Sequence, residues 1–195
     1  MMVKICGITT AEDARAAVEA GASALGFNFW SGSPRYIRPE RAAEIMRLLP
    51  EGVLRVGVFV NESAAAIEEI ARSAPLDIAQ LHGRCGNPRG LRLWKAVAAG
   101  SEQASADGIE AWLIDTPAGD RHGGTGQTFD WALASGLQGR IILAGGLDAE
   151  NVRAAIARAR PWGVDACSRL ESAPGKKDLA KMRAFLSAAL EDVRA

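Results

Sequence analysis

The chain has 195 residues, and its 23 Lys+Arg balance 23 Asp+Glu, so the formal net charge is zero with both histidines neutral and no basic footprint for nucleic acid is present. A hydrophobic share of 48% with 24% charged residues suits one sizeable folded core and excludes disorder as the main state. No run approaches the roughly 18 apolar residues of a membrane span, and the first residues lead into polar sequence without the apolar core of a signal peptide, so a cytoplasmic protein without a membrane partner is expected.

Eight short apolar runs, at residues 3–6, 24–29, 54–60, 77–81, 93–97, 111–115, 140–144 and 163–167, read as buried strands. Between them lie stretches of helical period. After the first strand Thr10 is placed to cap a helix whose third residue is Asp13, and Gly21 to end it. Pro39 opens a helix carrying Ala42, Ile45, Met46 and Leu49. Asn61 is expected to cap the helix with Ala64, Ile67, Ile70 and Ala71 on one face. Residues 84–90 contain Gly86, Pro88 and Gly90, which predicts a turn or a single helical loop where a fourth helix would stand. Asp148 is placed to cap a helix starting near Ala149, and Leu179, Met182, Phe185, Leu186, Ala189, Leu190 and Val193 form the stripe of a closing helix.

Eight such units without a linker or composition shift point to a single-domain (β/α)8 barrel, an α/β fold, over residues 1–195 with a short or missing fourth helix. An open doubly wound sheet is the competitor, disfavoured because no GxGxxG follows the first strand. A barrel directs attention to the carboxyl ends of its strands.

Residues two apart on a strand share a face, so Lys4 with Cys6, Gln80 with His82, Leu113 with Asp115 and Asp165 with Cys167 form inward or outward pairs. Val3 and Ile5 are expected to face the helices, which turns Lys4 and Cys6 inward. Cys6, one strand position from a lysine, has the surroundings of a thiolate, although a lone cysteine is more often a small buried hydrophobe. Asp115 before Thr116 and Pro117 reads either as a carboxylic acid beside a substrate or as a turn residue. Together at two strand mouths they form the acid and base that proton transfer on a sugar needs.

The runs Gly123-Gly-Thr-Gly126, containing Gly124, and Ala144-Gly-Gly-Leu147, containing Gly145 and Gly146, let backbone N–H groups approach an anion, and the second follows the seventh strand, where many barrels hold phosphate. Plain turn chemistry is the bland alternative. Arg35 in the loop after the second strand could clamp a carboxylate or simply be solvated. The five tryptophans, Trp30, Trp94, Trp112, Trp131 and Trp162, read as packing. Cys6, Cys85 and Cys167 form no CxxC pair, and with His82 and His122 the only histidines no zinc or histidine-rich metal centre is expected.

In this order, Lys4-Ile-Cys-Gly7, Ser33-Pro-Arg35, Val56-Gly-Val-Phe59, Gln80-Leu-His-Gly83, Leu113-Ile-Asp115, Gly123-Gly-Thr-Gly126 with Phe129-Asp-Trp131, Ala144-Gly-Gly-Leu147, Gly163-Val-Asp165 and Pro174-Gly-Lys-Lys-Asp178 span nearly the whole chain. The sequence thereby resembles the phosphoribosylanthranilate isomerase family of tryptophan biosynthesis. The resemblance implies an Amadori rearrangement of N-(5-phospho-β-D-ribosyl)anthranilate without metal or organic cofactor. It places Cys6 on the general base and Asp115 on the general acid, with Lys4 helping to hold the thiolate. Arg35 matches the position that meets the anthranilate carboxylate, Gln80, His82 and Asp165 match active-site neighbours, and phosphate falls on the glycine loops with Ser168 and Arg169 beside them. The expected partner is a phosphorylated sugar, and the chain is expected to be a monomer or weak homodimer.

Three stretches depart from the family pattern. Arg169 replaces a small residue, and its guanidinium either supplements the phosphate contacts or displaces them. Ala166 and Cys167 stand for the commoner Val-Ser, and residues 84–90 replace an acidic helix start. Competing readings are an isomerase of histidine biosynthesis or a bifunctional form, a Schiff-base lyase using Lys4 or Lys95, and a barrel that binds phosphorylated ligands without turnover.

Overall fold

In the computed structural model, residues 1–101, 107–117 and 126–191 are described. Eight parallel strands close into a barrel in chain order: β1 Met2–Ile5, β2 Ala24–Asn28, β3 Leu54–Val60, β4 Ile78–His82, β5 Arg92–Ala98, β6 Ile109–Asp115, β7 Arg140–Leu143 and β8 Gly163–Ala166. The ring is sealed by β1 against β8, with Lys4 opposite Asp165 and Ile5 opposite Ala166, which excludes the open sheet. The helices are α1 Ala11–Glu19, α2 Pro39–Met46, α3 Ala64–Ser73, α4 Val152–Ala159 and α5 Leu179–Glu191. No described helix is long and apolar enough to cross a membrane.

Strand alternation divides the core in two. Met2, Ala24, Val56, Ile78, Trp94, Ala111, Leu113 and Ile142 fill the inside of the ring. Val3, Ile5, Leu25, Phe27, Leu81 and Val164 pack outward with Ala17, Met46, Ile67, Val152, Met182 and Phe185 of the helices. Because both faces are buried, each strand reads as a continuous apolar run. Trp94 meets Trp162 edge to face at 6.1 Å between ring centroids, and Arg140 stands 5.1 Å over Trp162. These rings pack together at the amino ends of β5 and β8.

Thr10 caps α1 as expected, accepting from Asp13 N at 3.1 Å, and Pro39 opens α2. The cap of α3 is Ser63 and not Asn61: Ser63 Oγ accepts from Ala66 N. Asn61 lies in the left-handed region at φ 52 and its Oδ1 accepts from Arg84 N at 2.8 Å. Asp148 accepts from Glu150 N and Asn151 N in a turn that precedes α4, so the helix starts at Val152, later than expected. α5 is fronted by Asp178, whose Oδ1 accepts from Ala180 N and Lys181 N. Val193, placed on that helix by its stripe, lies outside the described residues.

Residues 83–91 cross from β4 to β5 without a helix. Their backbone N–H groups are satisfied from the segment that starts α3 instead: Gly86 N by Glu62 O, Arg84 N by Asn61 Oδ1 and Arg89 N by Glu68 Oε1. Gly83 makes this crossing possible. Its φ is +63, and a Cβ there would run into Asn61 Oδ1. Gly83→Ala is therefore expected to lower stability by about 1–3 kcal/mol, read as a reduced urea midpoint. An unchanged midpoint would show that Asn61 does not anchor this loop.

Candidate active site

Lys4 and Cys6 extend β1 on its inner face, in step with Met2. Lys4 is fully buried, and its Nζ donates to Asp165 Oδ1 at 2.8 Å. The contact follows from register, because Lys4 and Asp165 are paired residues on adjacent strands. Burial works against the Lys4 charge, but Asp165 and Cys6 outweigh it and hold the ammonium above its ordinary range. On Asp165 burial is the stronger influence, lifting its carboxyl to about 7 against the pull of Lys4, with the Cys6 charge adding to the lift. The proton between the two belongs to Lys4.

Cys6 continues past the end of β1, its N–H donating to Ala166 O of β8 at 2.9 Å. The neighbouring Cys167 thiol draws the Cys6 pKa well below the ordinary thiol value. Burial opposes this, and Lys4 adds to the lowering. The Cys167 thiol is raised in turn by the neighbouring Cys6 and by burial. Asp115 ends β6 on the same face as Leu113, at the same carboxyl mouth. Burial lifts its carboxyl to about 6, against a 2.7 Å hydrogen bond from Thr116 N, and the Cys6 charge lifts it further. The structure thus brings together a thiol biased toward its anion and a carboxylic acid biased toward its proton.

Asp115, Asp165, Gly145, Gly146, Ser168 and Arg169 are among the residues lining one cleft at the mouth. Gly145 and Gly146 hold φ +83 and +60, and Cβ atoms there would run into Thr116 Oγ1 and Gln127 O. Only glycine lets the loop after β7 lie against the loop after β6. Gly124 lies outside the described residues. Arg169 donates from Nε to Gly126 O at 2.8 Å and from Nη1 to Asp148 Oδ2 at 2.6 Å, so it ties the loops after β6 and β7 together. On β4, Gln80 Nε2 and His82 Nε2 are 2.9 Å apart, which fixes the imidazole.

Arg35 reaches the rim from the loop after β2. Its Nε and Nη2 grip the Glu171 carboxylate at 2.9 and 2.8 Å, a two-pronged pair. Glu171 begins a hairpin after β8, formed by β9 Glu171–Ala173 and β10 Lys176–Lys177. The buried Lys177 donates to Glu171 Oε1 at 3.0 Å and to Cys167 O at 3.3 Å. The sequence assigns no role to Glu171 or Lys177, although Lys177 stands inside the Pro174–Asp178 stretch. Lys95 is removed from the site: Trp94 and Ala96 beside it face the ring interior, and its Nζ donates to Gly83 O. Among the described residues no three His, Cys, Asp or Glu side chains converge as metal ligands.

A family model described as N-(5'phosphoribosyl)anthranilate (PRA) isomerase matches residues 3–188. The N-(5'-phosphoribosyl)anthranilate isomerase of Solibacter usitatus is 55% identical over 97% of both chains. The crystal structure of phosphoribosyl anthranilate isomerase from Thermus thermophilus superposes with a TM-score of 0.87 at 37% identity, covering 100% of each chain. A phosphoribosyl anthranilate isomerase in complex with reduced 1-(o-carboxyphenylamino)-1-deoxyribulose 5-phosphate gives a TM-score of 0.79 at 37% identity over 97% of this chain and 98% of its own. By the family match, the end-to-end identity and the shared barrel, the chain belongs to the N-(5'-phosphoribosyl)anthranilate isomerase family.

Proposed function

We propose that the chain catalyses the Amadori rearrangement of N-(5-phospho-β-D-ribosyl)anthranilate to 1-(2-carboxyphenylamino)-1-deoxy-D-ribulose 5-phosphate, the isomerase step of tryptophan biosynthesis. The observation that carries this reading is the pairing at one mouth of Cys6, lowered toward its thiolate, with Asp115, raised to about 6. Asp115 gives its proton to the furanose ring oxygen, and the C1–O bond opens to an iminium. The iminium acidifies the C2 proton, which the Cys6 thiolate removes. The resulting enolamine returns to the ketone, with the proton it needs at C1 and the one it loses from O2 moving within the same mouth. The buried Lys4 ammonium stays charged and serves as the electrostatic partner of the thiolate, so it is not the free amine that a Schiff-base lyase requires.

The phosphate is read onto backbone N–H groups of Gly145 and Gly146 and the turn at Ser168, where the cleft lies. Glu171 occupies the Nε–Nη2 edge of Arg35, and the remaining edge at Nη1 is the one that can meet the anthranilate carboxylate.

Complementation of a tryptophan auxotroph lacking this step, followed by assay of the purified chain, tests the reading. Cys6→Ser and Asp115→Asn are each expected to cut kcat by roughly 10²- to 10⁴-fold with circular dichroism unchanged, and activity within tenfold of the parent would overturn the assigned role. Arg35→Ala is expected to raise KM before it lowers kcat, and an unchanged KM would remove the carboxylate clamp. Because Asp115 must hold its proton, kcat/KM is expected to fall as pH rises through about 6, and an alkaline limb displaced far above that value would contradict it. The same shift has a stability consequence. A carboxyl raised from 3.8 to about 6 favours folding below its unfolded pKa, and that contribution is lost as pH rises through 6, at a cost on the order of 3 kcal/mol once ionised. Asp115→Asn is therefore expected to be more stable than the parent at pH 8 and equal to it at pH 4, measured by thermal melts.

A further inference from the structure

Cys167 takes no part in the proton transfers above, yet it stands beside the base that does. β1 and β8 run in register with Ile5 opposite Ala166, so the next residues out, Cys6 and Cys167, come alongside, held by the Cys6 N–H to Ala166 O hydrogen bond. Neighbouring strands are spaced ~4.8 Å apart, inside the roughly 4.4–6.8 Å range of Cα separations that a disulfide spans. Both side chains leave the strands on the inner face. Each sulfur rests over a glycine: a Cβ on Gly26 would stand 2.8 Å from Cys6 Sγ, and one on Gly7 would stand 3.0 Å from Cys167 Sγ. The absence of those two Cβ atoms leaves room for both sulfurs to turn. The two thiols stand close enough for each to shift the titration of the other. Both cysteines are partly accessible at the mouth, and both are free thiols.

We propose that Cys6 and Cys167 form a reversible oxidation site, in which a hydroperoxide joins them as an intramolecular disulfide and thereby switches off turnover. The effect on turnover rests on the reading of Cys6 as the base. The Cys6 thiolate attacks one peroxide oxygen, the O–O bond breaks, and the leaving hydroxide takes up the proton that Cys6 gave up, leaving a sulfenic acid and one water. The Cys167 thiolate then attacks the Cys6 sulfur, the S–O bond breaks, and the departing hydroxide takes the Cys167 proton as a second water. Two thiols have lost two electrons and the peroxide has gained them.

The surroundings favour this order. The Cys167 thiol is held up chiefly by the neighbouring Cys6 anion, and sulfenylation removes that anion. Lys177 Nζ, 3.8 Å from Cys167 Sγ, and Arg35 then favour the second thiolate. The attacking sulfur is thus released by the step that creates its target. Cys85 is not a competing partner: it sits on the crossing from β4 to β5, donating to His82 O and accepting from Glu62 N.

The test treats the reduced full chain with hydrogen peroxide, quenches with an alkylating agent, and reads peptide masses and turnover in parallel. The expected result is a Cys6–Cys167 cross-linked peptide lacking two hydrogens, a loss of turnover of roughly a hundredfold or more, and recovery with dithiothreitol. Cys85→Ala is expected to keep the cross-link. Cys167→Ser, compared with its own untreated activity, is expected to lose turnover that dithiothreitol does not restore, with Cys6 carrying two or three oxygens. The wild-type peptide masses stand without either variant. Irreversible loss in the wild type with an over-oxidised Cys6 and no cross-link would overturn the pair while leaving Cys6 as the base. A cross-link with undiminished turnover would overturn the switch, and with it the assignment of Cys6.

Discussion

The buried ammonium of Lys4 links the closure of the barrel to the electrostatics of its mouth. Removing an ion from water costs several kcal/mol, so a lysine inside a strand ring persists only where an anion is fixed beside it. Register supplies that anion, because β1 meets β8 with Lys4 opposite Asp165 and the two groups close to 2.8 Å. Cys6 lies one inward position further along β1 and acts on the same cation. One positive charge thus faces two groups that can be negative, and Asp115 stands within their field. The arrangement cannot hold three anions cheaply in a medium of low polarity. When Cys6 takes the negative charge, Asp115 is driven to keep its proton. Cys6 and Asp115 are therefore parts of one coupled system whose apparent titrations belong to the set.

The rim carries this charge logic outward. Glu171 receives Arg35 from the loop after β2 and Lys177 from across its own hairpin, so one carboxylate joins that loop to the hairpin after β8. Lys177 is anchored twice, its backbone N–H on Asp13 of α1 and its Nζ on the Cys167 carbonyl. Asp13 is the residue whose backbone N–H is capped by Thr10, which makes the start of α1 part of the same framework. The guanidinium edge that Arg35 presents is set by these contacts and not by its own loop. A loop arginine becomes directional when a fixed carboxylate holds the plane of its guanidinium.

Much of this was legible in the sequence, and the limits have physical causes. Continuous apolar runs gave eight strands with ends correct to a residue or two, because burial on both faces removes the ambiguity of an amphipathic period. Lys4 with Cys6 and Leu113 with Asp115 could be placed on common faces from alternation alone. Asn61 misled because Asn and Ser are both good caps, and only the φ of 52 at Asn61, imposed by its hold on Arg84, tells which of them fronts α3. The partnership of Arg35 with Glu171 joins residues 136 positions apart. No local pattern announces a salt bridge that depends on where two loops meet in space. The same holds for Cys6 and Cys167, whose adjacency is a consequence of ring closure.

Arg169 shows how the surroundings of a side chain decide between two readings that its chemistry leaves open. A guanidinium beside a phosphate loop suggests an anion ligand. Here its Nε is spent on the Gly126 carbonyl and its Nη1 on Asp148, whose carboxylate also orders the turn before α4. An arriving phosphate would have to compete with an existing carboxylate partner for those donors, so the net gain of positive potential at the cleft is small. What the side chain does contribute is connection between the loops after β6 and β7, from a position after β8. Its bulk is accommodated because it lies along the rim, where Gly145 and Gly146 still line the cleft beside it.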